Sequence, residues 1–228
     1  KHKLRAKSGQ IVVVDIISYP QKHQPPIGKI TEILGYSSDP KVELNSIFRK
    51  FETRNEFPIN VLEQAKKVTS LFCDKDLKNR KDLTDWEIFT IDGETAKDFD
   101  DAVSLDLTKE GFRLGVHIAD VSHYIKKNSA LDKEAFNRGT SIYFPGGVIP
   151  MLPSELSNDL CSLKPNTKRL TLTTLIDFDH EGKVIHSEFF TSVIKSSIRF
   201  TYNEVAHLLK KGAVGKKQEG VIDILKNM

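Results

Sequence analysis

The sequence predicts an α+β protein in two blocks: a partial small β-barrel, then an α/β domain with a mostly antiparallel sheet and flanking helices. Three observations carry this expectation. Residues 10–17 (Gln-Ile-Val-Val-Val-Asp-Ile-Ile) form a strong β run near the start. The apolar period changes from two to the helical spacing after Pro58. Beyond Trp86, alternating strand-like runs are interleaved with capped helical segments. With 228 residues, 39% of them hydrophobic, the chain has room for one large or two small domains and can bury a core.

In the first block, the proline-rich stretch 18–26 reads as a loop after the opening strand. Residues 28–34 read as a second strand and 41–48 as a third. A complete five-stranded barrel needs more chain than precedes Lys1. Val61, Leu62, Ala65, Val68, Leu71 and Phe72 then recur at helical spacing, with Pro58 suited to a first helical turn. The expected division is therefore 1–57 for the barrel part, 58–85 for a helical linker and 86–228 for the second block.

Within that second block, residues 86–91 and 102–107 alternate apolar and polar side chains and read as strands. Residues 112–119 do the same and should pair with 102–107 across a turn at 108–111. Ser129-Ala130-Leu131-Asp132 is a cap-like helix start, and Gly139 is placed to end that helix. Residues 169–178 and 184–194 read as a long hairpin turning at His180-Glu181-Gly182. Thr201-Tyr202-Asn203-Glu204 repeats the cap signature before Val205, Leu208 and Leu209.

The chemistry concentrates between the first two strands of this block. Asp92, Asp98, Asp100 and Asp101 lie within Ile91-Asp92-Gly93-Glu94-Thr95-Ala96-Lys97-Asp98-Phe99-Asp100-Asp101-Ala102. Four like charges so close repel, so the cluster is either a solvated acidic turn or the holder of a hard cation. Oxygen-only ligands suit magnesium or manganese. In extended geometry Asp98 and Asp100 share a face, and Asp101 needs a local kink to join them. His117, Asp120 and His123 suggest a second metal set, but strand packing and support of the aspartate loop are the simpler roles.

Charge and composition exclude other classes. The net charge of +3 implies no polyanion partner by itself. Its distribution is more telling, with Lys1, Lys3, Arg5 and Lys7 at one end and Lys210, Lys211, Lys216 and Lys217 at the other. No run of about 18 apolar residues suggests a membrane span. Cys73 and Cys161 form no CxxC pair, which argues against structural zinc and for a cytoplasmic chain with reduced thiols. The chain opens mid-pattern at Lys1, as a piece of a longer protein would.

Three ordered blocks carry a family resemblance. Residues 90–103, containing the aspartates, resemble the catalytic signature of the ribonuclease II and ribonuclease R (RNB) exoribonucleases. Residues 115–124 (Gly-Val-His-Ile-Ala-Asp-Val-Ser-His-Tyr) and 143–153 (Tyr-Phe-Pro-Gly-Gly-Val-Ile-Pro-Met-Leu-Pro) are similar to two further family blocks, and 157–163 continue the last. The Asp-Gly-Glu form of the first block is closer to bacterial ribonuclease R. Residues 1–57 resemble the end of an OB-like, cold-shock-type barrel that precedes the catalytic domain.

The resemblance implies a magnesium-dependent hydrolase, with manganese as an alternative, that shortens single-stranded RNA from its 3′ end and releases nucleoside 5′-monophosphates. It implies metal ligation by Asp92, Asp98, Asp100 and Asp101, with Asp100 the residue whose loss stops chemistry while sparing RNA binding. Phosphodiester hydrolysis needs an activated water and a neutralised leaving oxygen, which two metals about 4 Å apart supply. Tyr143 matches a tyrosine that stacks on a base, and Tyr202 one near the scissile phosphate. Lys97, Arg138 and Arg169 are expected RNA contacts. The family's C-terminal catalytic half, with a phosphate-contacting arginine, and its C-terminal RNA-binding barrel have no counterpart before Met228. The expectation is a monomer, without membrane contact, that as a piece has weak or no activity. The other reading is a non-catalytic RNA-binding module. A calcium site is disfavoured because the loop lacks the EF-hand order of ligands.

Overall fold

In the computed structural model, residues 4–71 and 74–211 are described. Lys1, Lys3, Phe72, Cys73, Lys216 and Lys217, singled out above, lie outside them. The chain divides into two compact units, Lys1–Glu56 and Phe57–Met228.

In the first unit, β1 (Gln10–Ser18) pairs antiparallel with β2 (Ile27–Tyr36), and register shifts interrupt the ladder at three points. Such irregularities bend and twist a ribbon in the manner of barrel strands. The expected third strand at 41–48 is instead a helix, α1 (Pro40–Lys50). The reason is local. Asp39 caps it by accepting from the Lys41 amide at 2.9 Å, and Pro40 occupies the first turn, where its missing N–H costs nothing. Val42 is buried, and Arg49 reaches Glu32 of β2 at 2.7 Å.

The second unit begins with α2 (Ile59–Leu71), followed by a 3₁₀ turn at Asp74–Leu77 and β3 (Lys81–Leu83). These are not a linker, contrary to the expectation for 58–85. Val61 and Ala65 are buried in the unit's main core, and β3 joins its sheet beside the strand Val184–Lys195. Burying one apolar stripe is what a helix at this period requires, and the sheet supplies the surface.

The remaining elements are β4 (Phe89–Asp92), β5 (Asp101–Leu107), β6 (Gly111–Ala119), α3 (Val121–Tyr124), α4 (Ala130–Arg138), β7 (Ile142–Phe144), β8 (Gly147–Ile149), β9 (Lys168–Asp179), β10 (Val184–Lys195), β11 (Ile198–Thr201) and α5 (Tyr202–Lys211). A π-helical turn covers Leu156–Leu160. Seven strands form one sheet in the order β11-β4-β5-β6-β9-β10-β3. The β11–β4 and β10–β3 pairs are parallel and the rest antiparallel. The α+β expectation with a mostly antiparallel sheet holds, as do the β5–β6 hairpin and the long β9–β10 hairpin.

The sheet has two buried faces. On one, Leu131 of α4, Val61 and Ala65 of α2, and Leu156, Leu160 and Leu163 pack with Ile88 and Ile194. On the other, Phe89 and Phe200 meet edge to face at 5.8 Å, with Leu208 of α5 packed against them. Adjacent residues Ile88 and Phe89 thus serve opposite faces, as strand alternation dictates. The helix ends follow the expected chemistry. Ser129 accepts from the Asp132 amide at 3.2 Å, and Gly139 closes α4 with φ of 73°, a conformation glycine adopts without Cβ strain.

Candidate active site

The strand directions bring the acidic residues to one end of the sheet. Parallel β4 and β11 finish there, pairing Asp92 with Thr201, and antiparallel β5 starts there with Asp101 opposite Ile118 of β6. The loop between Asp92 and Asp101 spans the gap. Phe99 turns inward and is buried in the main core, while Asp98 beside it is partly exposed and Asp100 exposed.

Backbone contacts fix the second half of the loop. Ser162, fully buried after the π-helical turn, accepts from the Phe99 amide at 3.1 Å and donates to the Lys97 carbonyl at 2.9 Å. The Leu163 amide donates to the Phe99 carbonyl at 2.9 Å, and the Ala119 amide to the Asp100 carbonyl at 2.9 Å. The first half turns back through an Ala96 amide to Gly93 carbonyl bond at 3.2 Å.

Electrostatics show that the carboxylates act on one another. Burial raises the Asp92 carboxyl above the ordinary aspartate range, with Asp101 and Asp98 adding repulsion and Arg199 opposing it. Burial also raises Asp100, followed by repulsion from Asp98, Asp101 and Asp92. Asp100 is open to solvent on one side while protein atoms crowd the other. The Thr90 hydroxyl lies near enough to ease the Asp92 anion, but neither Thr90 Oγ1 nor Asp92 Oδ2 completes a hydrogen bond among the described residues. An unsatisfied buried carboxylate oxygen carries a desolvation penalty.

That oxygen, in a field of four carboxylates, fits a hard divalent cation in donor chemistry and in charge. The side chains are nevertheless not drawn into one closed coordination sphere. Among the described residues, no three His, Cys, Asp or Glu side chains are gathered to enclose an ion. Asp98 Oδ2 instead accepts from the Tyr143 hydroxyl at 3.0 Å. Tyr143 stands on the β7–β8 hairpin and is 69% exposed as a residue, so it offers both a hydroxyl to the cluster and an aromatic face. Tyr202 opens α5 one residue past Thr201, the register partner of Asp92, and is also largely exposed. The Lys97 side chain is exposed beside the acids.

The structure does not bring two expected RNA contacts to solvent. Arg138 is buried. It donates to Glu134 Oε1 at 2.9 Å and to the Pro150 carbonyl at 3.1 Å, and lies 3.7 Å over the Phe57 ring. Arg169 is also buried, donating to the Ser162 carbonyl at 2.9 Å and the Asp159 carbonyl at 3.0 Å. It therefore braces the turn that carries Ser162. Sequence spacing shows that an arginine is present but not whether its donors are already engaged inside the fold.

The second histidine–aspartate set is structural. His117 is fully buried between Ser104 Oγ at 3.1 Å and Thr173 Oγ1 at 2.8 Å, and burial pushes its imidazole down to about 4. Gly115 makes room for that contact, since a Cβ there would stand 2.3 Å from Ser104 Oγ. Asp120 pairs with Arg80, and His123 lies between Arg80 and Asp76. The sequence reading missed two residues that hold the loop, Ser162 and Arg199. Ser162 was visible only as part of a family block, and Arg199 had no signal at all.

Fold and site define a class: an α+β protein carrying a coupled carboxylate cluster on a loop at the end of a mostly antiparallel sheet. The RNB domain model matches residues 80–228, and the cold shock domain model matches residues 1–58. The chain belongs to the RNB domain family.

Named relatives agree with that membership. The chain is 44% identical over 225 residues to ribonuclease R of Thermotoga maritima, covering 97% of this chain and 32% of the relative. It is 48% identical over 195 residues to ribonuclease R of Chlamydia muridarum, covering 85% of this chain and 28% of the relative. Among solved structures, it superposes on Mycoplasma genitalium RNase R in complex with ribose-methylated single-stranded RNA with a TM-score of 0.90 at 34% identity. That match covers 98% of this chain and 35% of the other. The chain thus spans about a third of the length of the curated relatives it matches.

Proposed function

We propose that this chain bears the metal-binding aspartate loop of a 3′-to-5′ exoribonuclease that hydrolyses RNA to nucleoside 5′-monophosphates. The observation that carries the reading is the coupled carboxylate cluster at the end of the sheet, with Asp92 Oδ2 buried and unpaired. Asp92 at the end of β4 and Asp101 at the start of β5, whose charges act on one another, are the first choice for holding magnesium, or manganese, and Asp98 and Asp100 complete the set. A divalent ion held there would supply an activated water and neutralise charge on the departing oxygen. Carboxylates raised by burial and mutual repulsion gain most from a cation, because it removes both costs.

The chain's own residues do the rest. Tyr143 offers its exposed ring to a base near the RNA 3′ end while its hydroxyl holds Asp98, and stacking of this kind tolerates any sequence. Tyr202, exposed and one residue past the register partner of Asp92, would meet the scissile phosphate, and Lys97 provides a positive charge at the rim. Arg138 and Arg169 have no place in this contact set because their guanidinium groups are engaged inside the protein. RNA is the substrate class that fits, and the matching Mycoplasma enzyme has been solved with single-stranded and with double-stranded RNA.

The deciding experiment uses 5′-labelled single-stranded RNA with magnesium. Weak magnesium-dependent shortening from the 3′ end with release of mononucleotides is the most this piece is expected to give, and Asp100→Asn should abolish that release while leaving RNA retention intact. Retention that weakens with salt, without any magnesium-dependent release, would favour the non-catalytic RNA-binding module instead.

A further inference from the structure

We propose that Arg199 and Asn203 are positioning residues that pin the first half of the aspartate loop from outside it, setting how strongly the cluster binds a divalent cation. This rests on the metal reading of the aspartates. Arg199 lies on β11 opposite Thr90 of β4, so its backbone is fixed by the ladder that carries Asp92. Its guanidinium reaches over the loop and donates from Nη2 to the Gly93 carbonyl at 2.5 Å and the Glu94 carbonyl at 3.2 Å. It also stands 5.5 Å from the centroid of Phe99, the residue that anchors the loop's other half in the core. From the first turn of α5, Asn203 Nδ2 donates to Glu94 Oε1 at 2.7 Å.

These contacts join elements more than 100 residues apart in sequence: the separation is 106 from Arg199 to Gly93 and 109 from Asn203 to Glu94. They complement Ser162, which holds only Lys97 and Phe99. Without the Arg199–Asn203 clip, residues 93–96 keep only their own turn hydrogen bond among the backbone contacts described above. A planar guanidinium can serve two neighbouring carbonyls at once, which a lysine ammonium does less well. Partners beyond the ligands that orient a metal site typically account for about 10- to 100-fold in affinity. Arg199 also brings a positive charge close to Asp92, so its simple removal would mix loosened geometry with a changed field. Asn203 carries no charge, and Arg199→Lys retains it, so these two changes isolate positioning.

The test compares the wild-type chain with Arg199→Lys and Asn203→Ala by amide hydrogen exchange without metal, and by manganese titration followed by electron paramagnetic resonance. Faster exchange confined to residues 93–99, with about 10-fold weaker manganese binding and an unchanged melting temperature, is the expected result. Unchanged exchange across 93–99 in both variants would overturn the positioning role. So would exchange that rises without any change in manganese affinity. Failure of the wild type to bind manganese would instead overturn the metal reading, and the exchange data would still decide whether the clip pins the loop.

Discussion

Tyr143 shows how one side chain serves two ends of a site. Its hydroxyl donates to Asp98 at 3.0 Å while the ring stays exposed, and that hydrogen bond, followed by burial, raises the phenol above its ordinary range. Two substitutions separate the functions. Tyr143→Ala removes the stacking face, which is worth roughly 1–3 kcal/mol per base, and should weaken single-stranded RNA binding by roughly 5- to 150-fold in a fluorescence titration. Tyr143→Phe keeps the face and frees Asp98, so RNA affinity should stay near wild type. Equal losses in both variants would show that the ring does not stack.

At the scale of elements, the loop and the helix beside it depend on single polar groups. Ser162 satisfies the Phe99 amide from a fully buried position. Ser162→Ala leaves that donor unpaired at a cost of about 1–3 kcal/mol, readable as a lower urea midpoint. The start of α5 is a reciprocal cap: the Glu204 amide donates to Thr201 Oγ1 at 3.1 Å, and the Thr201 amide donates to Glu204 Oε2 at 2.7 Å. Thr201→Ala should cost about 1 kcal/mol and loosen the helix that carries Tyr202 and Asn203. This cap was legible from Thr201-Tyr202-Asn203-Glu204, because capping is a short-range pattern. Helix α1 reads as a strand from periodicity because Val42, Ile47 and Phe48 suit either period, and the Asp39-Pro40 start decides for the helix.

At the scale of the whole second unit, two buried polar systems tie the sheet together. Arg80 donates to Asp120 Oδ2 at 2.5 Å and to the carbonyls of Thr171 on β9 and Ser192 on β10. Burial opposes the Asp120 anion, but hydrogen bonds from Arg80 and Ser122 outweigh it and hold the carboxyl below its ordinary range. Arg80→Met strands that charge and should cost about 3–5 kcal/mol in urea unfolding, whereas Arg80→Met with Asp120→Leu should recover much of the loss. The His117 system adds a pH dependence. Its imidazole is pushed from 6.5 down to about 4 by burial, so the unfolded chain binds more protons between those values. Stability is therefore full above pH 6.5 and falls as pH drops towards 4, by on the order of 3 kcal/mol. Urea midpoints at pH 7 and pH 5 check the slope, which His117→Gln should flatten.

The sequence by itself determined the family, the β5–β6 and β9–β10 hairpins and the four aspartates gathered within one short stretch. These are patterns of neighbours at spacings of one to four residues, which the peptide geometry converts directly into faces and caps. Only the tertiary structure decided that Asp92 Oδ2 is left buried and unpaired, that Ser162 and Arg199 grip the loop, and that residues 58–85 belong to the second unit's core. It also decided that Arg138 and Arg169 brace the protein from within. The grips on the loop depend on contacts between residues distant in the chain, 63 apart for Ser162 and Phe99 and 106 for Arg199 and Gly93. Local periodicity cannot register such partners, because the sheet order that brings them together is itself a product of burying both faces at once.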